Sequence, residues 1–186
     1  MIVVIVTIAT LITGIAAGLA GVPPLEAALA GLALGGTVGV IYYNISGNRK
    51  VVRAAPEVLE RARKMQPKRA KAGLYLLRKG YIGSRLGMDV AIEGVASGQL
   101  RSGLFLHAEV EPGTYDVTAR PARNANETTH ESVTLQAGET VVVLIALSRG
   151  GIFNKAKMVQ VRNRDDARAM IGSAEMIVPE TSADKS

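Results

Sequence analysis

The inventory of reactive side chains is short: cysteine is absent and histidine occurs only at His107 and His130. Without Cys there is no disulfide, thiolate nucleophile, Cys-linked haem or Cys-based zinc site. A histidine metal centre would need both rings to converge with a carboxylate such as Glu109 or Glu131, and their spacing matches no recognised ligand motif. Two unrelated surface histidines are therefore expected. His107 alternates with Phe105 and Glu109 on what should be the outer face of a strand, and His130 lies in the polar stretch 124–131. Gly80, Gly83 and Gly87 crowd one stretch, but no Gly-Lys-Ser/Thr follows and no helix begins there, so turns are expected rather than a phosphate loop. Asp165 and Asp166 are neighbours in sequence, and adjacent helical residues point in different directions, so they read as helix-start charges. Asn44-Ile45-Ser46 and Asn126-Glu127-Thr128 fit the glycosylation pattern, a short motif that arises often by chance. No nucleophile–base pair emerges, and a protein that is not an enzyme and holds no cofactor or metal is expected.

The elements that carry these residues begin with the first 48 positions. Ile2 to Gly21 and Leu25 to Ile45 are apolar stretches separated by Val22-Pro23-Pro24, and Glu26 is the sole charged side chain before Arg49. A bilayer core is crossed by a helix of roughly 20 apolar residues, so residues 1–48 predict a transmembrane helical hairpin. A secretory signal is the competing assignment. No Lys or Arg precedes the first stretch, and the run exceeds a usual signal core, so a retained helix is expected. Gly14 and Gly18 are four apart, as are Gly31, Gly35 and Gly39, a spacing that lines one helix face and lets another backbone approach. Either the two helices pack on each other through these faces, or Gly31, Gly35 and Gly39 dock on a different membrane protein; the sequence leaves both open. In the second case Gly35→Leu would release the protein from its host.

The charge is concentrated next. Residues 49–71 carry nine basic side chains against Glu57 and Glu60, whereas 72–186 carries 13 basic and 13 acidic ones. The net charge of +6 thus comes from one juxtamembrane segment. Arg49, Lys50, Arg53, Arg61, Arg63, Lys64, Lys68 and Arg69 are expected to meet anionic lipid headgroups and to hold the downstream domain on the cytoplasmic side of an inner membrane. Tyr42 and Tyr43 sit near that boundary, as interfacial aromatics do. Basic residues confined to one short segment, with aromatics only 4% of the chain, argue against nucleic acid as partner. Pro56 to Gln66 predicts a short basic amphipathic helix with Val58, Leu59, Ala62 and Met65 on one stripe, either lying in the headgroup plane or acting as a solvated connector.

From Ala72 the texture becomes period-two alternation: Met88, Val90 and Ile92; Leu104, Leu106, Ala108 and Val110; Tyr115, Val117 and Ala119; Val133 and Leu135. This signals half-buried strands. Val141 to Leu147 is continuously aliphatic and should lie centrally. Ala72–Arg78 and Lys157–Arg162 bring the count to about seven or eight strands. Glu111-Pro112-Gly113-Thr114 suits a type II turn, Gln136-Ala137-Gly138-Glu139 a tight hairpin, and Asn163 an N-cap for a short helix to about Ile171. The expectation is an antiparallel β-sandwich over 72–178, with a loose polar tail at 179–186.

Several features recur in order. Leu74-Tyr75-Leu76-Leu77-Arg78 is an aliphatic-Tyr-aliphatic-aliphatic-Arg strand, followed by Gly83-Ser84, a strand from Asp89 to Gly94 and a short hairpin through Gly98. Pro112-Gly113 and Ala137-Gly138-Glu139 complete the series. Over 72–178 this order resembles a bacterial domain-of-unknown-function family, related in texture to PEGA-type and carboxypeptidase-regulatory-type β-sandwiches. The resemblance implies a binding or structural role with no catalytic residues. Such domains are often secreted or lipid-anchored, whereas this chain has an apolar hairpin and no lipobox Cys.

Together these features predict a membrane-anchored all-β protein: a non-enzymatic accessory subunit of a larger bacterial membrane complex, photosynthetic or respiratory, whose partners are integral membrane proteins. The alternative is a tethered sandwich that binds a small ligand or envelope polymer.

Overall fold

A computed structural model describes residues 2–81, 84–122, 127–148 and 155–180. The chain divides into two units, Met1–Gly47 and Asn48–Ser186.

The first unit is a pair of helices, α1 (Ile2–Leu19) and α2 (Pro24–Ile45). Gly21 takes φ +77°, a left-handed conformation that costs glycine little, and Pro24 occupies the first turn of α2, where its missing N–H is no loss. One described helix, Pro24–Tyr43, is long and apolar enough to cross a membrane, with mean hydropathy 1.6; Val6–Leu19 is a shorter apolar helix.

The second unit is mostly β. Its elements in chain order are α3 (Pro56–Arg63), β1 (Ala72–Arg78), β2 (Met88–Ile92), β3 (Ala96–Leu100), β4 (Leu104–Val110), β5 (Gly113–Pro121), β6 (Thr129–Leu135), β7 (Thr140–Ser148), β8 (Lys155–Val161), α4 (Arg164–Gly172) and β9 (Glu175–Met176). A five-stranded sheet runs β8-β7-β1-β4-β9, and a four-stranded sheet runs β3-β2-β5-β6. Leu74, Leu76, Val143 and Ile145 from the first join Val90, Ile92, Val117 and Val133 from the second in one buried cluster. The period-two faces thus do what alternation requires, turning one row of side chains toward a shared interior.

Pairing departs from the expected all-antiparallel pattern. The four-stranded sheet is antiparallel throughout, but β1 lies antiparallel to β4 and parallel to β7, with Leu76 opposite Val143, and β9 is parallel to β4. A parallel pair needs a long crossover, and the whole second sheet lies within the connection from β1 to β7. Gln136–Glu139 is a turn, closed by Glu139 N–H to Gln136 O at 3.0 Å with Gly138 at φ +77°. It is not a hairpin: β6 and β7 belong to different sheets, so the turn carries the chain across. Gly113 already pairs with Leu135 as the first residue of β5, which removes it from the expected type II turn. Gly98 also lies inside a strand, opposite Val90; the turn of that hairpin falls at Gly94, φ +70°. A Cβ at Gly98 would come 2.8 Å from Ile177 Cδ1, so glycine there admits a neighbour rather than a bend.

The other face of the five-stranded sheet is covered too. Tyr75, Leu77, Phe105 and Val142 form a second core with Ala62, Met65, Ala167 and Ile171. All seven residues of β1 are buried as a result, and β7 reads as a continuous aliphatic run because both its faces are used. Phe105 therefore lies in a core and not on an outer face. Of the stripe, Leu59, Ala62 and Met65 pack with Tyr75 and Phe105, whose rings offer apolar area to bury, while Val58 stays exposed. Asn163 caps α4, its Oδ1 accepting from the N–H groups of Asp165 and Asp166. The segment expected as a linker is part of this unit, and so is the start of the expected tail. Ala54 N–H donates to Met176 O, Val178 N–H to Val52 O, and Glu180 N–H to Ser97 O. Residues 174–180 thereby run along β4, the 52–54 segment and the edge of β3. Positions 181–186 of the tail lie outside the described residues.

Candidate functional surfaces

Tyr75 and His107 face each other across the β1–β4 ladder, and their rings stack at 4.3 Å. The Tyr75 hydroxyl donates to Ala62 O at 2.8 Å, fastening α3 to the sheet. Burial, and secondarily Glu109, raises the phenol pKa well above its usual value. Burial also drives His107 down to about 4, against a smaller opposing effect of Glu109, so the ring is neutral near pH 7. Burial would raise Glu109, but hydrogen bonds and charge from Lys68, 3.1 Å away, hold its carboxyl below the usual value. His130 is on the other sheet, 3.0 Å from Asp116. Among the described residues no three His, Asp or Glu side chains are grouped to hold a metal ion. Asp165 and Asp166 start α4, as their position in the sequence suggests. Gly83 and Asn124 to Asn126 lie outside the described residues. Arg78, at the end of β1, is fully buried, its Nη1 donating to Lys79 O at 2.8 Å. Burial lowers its pKa.

The helix pair settles which glycines do what within the unit. Ala27, Gly31, Gly35 and Gly39 are the buried positions among the described side chains of α2. A Cβ at Gly31 would lie 2.8 Å from Thr10 O, one at Gly35 2.0 Å from Thr10 Oγ1 and 3.1 Å from Val6 O, and one at Gly39 2.5 Å from Val6 Cγ2. The face is thus filled by α1, in antiparallel register, because only glycine lets the backbones come this close. Of the two alternatives, packing within the pair occupies Gly31, Gly35 and Gly39. Gly14 lends its backbone N to the Gly31 contact, but a Cβ on Gly14, Gly18 or Gly36 would meet nothing within 4 Å. Thr10 and Val6, the residues that receive the glycines, carry no sequence signal of their own. Outward, Leu11, Ile12, Ile15, Leu25, Leu29 and Leu32 are all more than half exposed. Thr13 and Thr37 return their hydroxyls to Ala9 O and Ala33 O, a way for a helix to carry Thr without an unmet donor.

The basic segment is largely neutralised by its own domain. Arg49 bridges Asp89 at 2.9 Å and Glu180 at 3.0 Å; Arg53 meets Glu175 at 3.0 Å, Arg63 meets Glu60 at 2.8 Å, and Lys68 meets Glu109. Lys71 pairs with Glu111. Lys50, Arg61, Lys64 and Arg69 are exposed and make no ion pair among the described residues. Five of the nine cations thus have acidic partners within their own unit, several contributed by strands far along the chain. Asn48 and Arg49 are especially well held. Asn48 Nδ2 donates to Arg85 O at 2.7 Å and its Oδ1 accepts from Gly87 N–H at 2.7 Å, while Arg49 N–H donates to Gln99 Oε1 at 2.6 Å. A shallow groove of about 350 Å³ lies between residues 49–52 and 177–180.

No protein-family model matches the chain, and a search of curated proteins finds no significant match.

Proposed function

We propose that this protein is a membrane-anchored, non-enzymatic accessory subunit of a larger membrane complex. In this reading α1 and α2 form a transmembrane hairpin, the two sheets form a β-sandwich, and the sandwich stands on the cytoplasmic face of an inner membrane, where it engages integral membrane partners. The observation that carries the reading is the outward surface of the helix pair. Leu11, Ile12, Leu29 and Leu32 are each more than half exposed, and soluble proteins do not leave such a contiguous apolar surface in water. Lys50, Arg53 and their neighbours follow α2 directly, whereas the turn between the two helices carries no Lys or Arg, which supports the topology. Because α1 fills the Gly31/Gly35/Gly39 face, contact with a partner uses the outward residues of the pair or the β unit. The resemblance to PEGA-like sandwiches fits the same role.

The test is gentle detergent extraction of native membranes, affinity capture of the chain and mass spectrometry of what accompanies it. A stoichiometric set of integral membrane proteins supports the proposal. Release by alkaline carbonate without detergent defeats the anchor. Recovery from detergent alone or as a homo-oligomer defeats the subunit role and favours a tethered binding module.

A further inference from the structure

We infer that a specific ribbon of the β unit, centred on Lys50, Val52 and Val178, rests on the headgroup layer of an anionic bilayer. The inference rests on the membrane-anchored reading and narrows it, replacing a general basic segment with a defined contact.

Val52 and Val178 are cross-strand neighbours: Val178 N–H donates to Val52 O at 2.9 Å, and Arg53 bridges Ile177 in the antiparallel sense. Directly opposed residues of an antiparallel pair point to the same side. On that side Ala54 and Met176 pack into the second core, and Val52 and Val178 lie beyond its cover. Val51 and Ile177 pack inward, whereas Val52 is 68% exposed and Val178 46% exposed. Lys50, two residues along from Val52 and so on its side of the extended segment, is exposed with no ion pair among the described residues. The flanking cations differ, since Arg49 is held by Asp89 and Glu180, and Arg53 by Glu175. An apolar pair beside an uncompensated ammonium is the chemistry of an interfacial contact: the aliphatic groups leave water while the cation stays at phosphate level.

Chain reach makes the surface available. α2 ends at Ile45, and Asn48 is clamped to Arg85 and Gly87. The five residues from Ile45 to Lys50 reach at most about 18 Å, so the ribbon stays tethered near the point where α2 ends. The clamp on Asn48 and the hydrogen bonds from residues 176–180 keep the ribbon rigid, so little ordering opposes its landing.

The absence of cysteine makes single-cysteine labelling unambiguous. An environment-sensitive NBD fluorophore would be placed in the full-length protein at Val52→Cys, Val178→Cys, Ser132→Cys on the exposed side of β6, and Leu32→Cys on α2. Each variant would be reconstituted in vesicles of neutral phosphatidylcholine and in vesicles containing phosphatidylglycerol. The expected result is a blue shift at 52 and 178 that requires phosphatidylglycerol, none at 132, and a blue shift at 32 in both lipids. Lys50→Gln should reduce the docked-to-undocked ratio roughly fivefold, the contribution of one cation near an anionic surface. Labels at 52 and 178 that stay in water while 32 is in lipid would overturn the inference and leave the anchor standing. A label at 32 in water would overturn both. Equal shifts at 52 and 132 would overturn the ribbon as the specific contact.

Discussion

Two adjacent glycines should respond oppositely to the same methyl group. Gly35 faces α1: an added Cβ lies 2.0 Å from Thr10 Oγ1, 3.2 Å from Thr10 Cβ and 3.1 Å from Val6 O. Rotating Thr10 relieves the hydroxyl alone. The contacts with Thr10 Cβ and the Val6 carbonyl remain, and they move only if the helices separate. Overpacking of this kind costs about 1–3 kcal/mol, between roughly five- and 150-fold in the paired-to-separated ratio. Gly36 is one residue along and meets nothing within 4 Å. There alanine removes a glycine from a helix interior, which favours the helix by up to about 1 kcal/mol. The assay uses a cysteine pair. The Cβ of residue 39 would lie 3.9 Å from Val6 Cβ, inside the range a disulfide spans, and Val6→Cys removes the crowding Cγ2. In detergent, Val6→Cys with Gly39→Cys should oxidise readily. Gly35→Ala should slow that oxidation, Gly35→Leu should suppress it, and Gly36→Ala should leave it unchanged. Equal rates for Gly35→Leu and the parent pair would refute the register of the helices and with it the assignment of the glycine face.

Other outcomes follow from the β unit. With His107 held at about 4 and an ordinary value near 6.5 in the unfolded chain, the unfolded state binds the extra proton as pH falls through that interval. Stability present above pH 6.5 is therefore lost towards pH 4, by at most about 3 kcal/mol, and urea midpoints at pH 7.5 and 5 should differ in the parent but much less in His107→Gln. Glu109 adds acid sensitivity only below its ordinary value, so it does not confuse that comparison. Gly138→Ala meets no atom but forces a Cβ into φ +77°, which should cost about 1–2 kcal/mol in denaturant unfolding. An unchanged midpoint would refute the turn conformation that carries the chain between the sheets.

The local elements are legible along the chain. Uninterrupted apolarity and a Pro-Pro break gave α1 and α2 their extents, period-two alternation located the strands, and Asn163 before Asp165 and Asp166 marked the start of α4. Each of these rests on forces acting within a few residues: burial of one face, a capped N–H, a fixed φ at proline. β3 was hard to read, because Ala96-Ser97-Gly98 carries no strong alternation and Gly98 resembles a turn residue until Ile177 is seen against it, and the two-residue β9 left no signal at all.

Which elements become neighbours is set by the fold as a whole. Alternation tells a strand which face to bury but not which strand to lie beside, so the parallel pairing of β1 with β7 left no trace in either segment. The same holds for the aromatic face of Tyr75 and Phe105, which drew the stripe of α3 inward. Charge shows the gap most directly. Arg49 and Glu180 are 131 positions apart and Arg53 and Glu175 are 122 apart, so a run of cations that looks uncompensated along the chain is mostly compensated in space. The glycine faces were legible as faces, yet whether α1 or another protein filled them depended on where Thr10 and Val6 fell after the turn. Contacts between residues distant in sequence are fixed by shape and by the entropy of closing the chain between them, and neither is written into a local pattern.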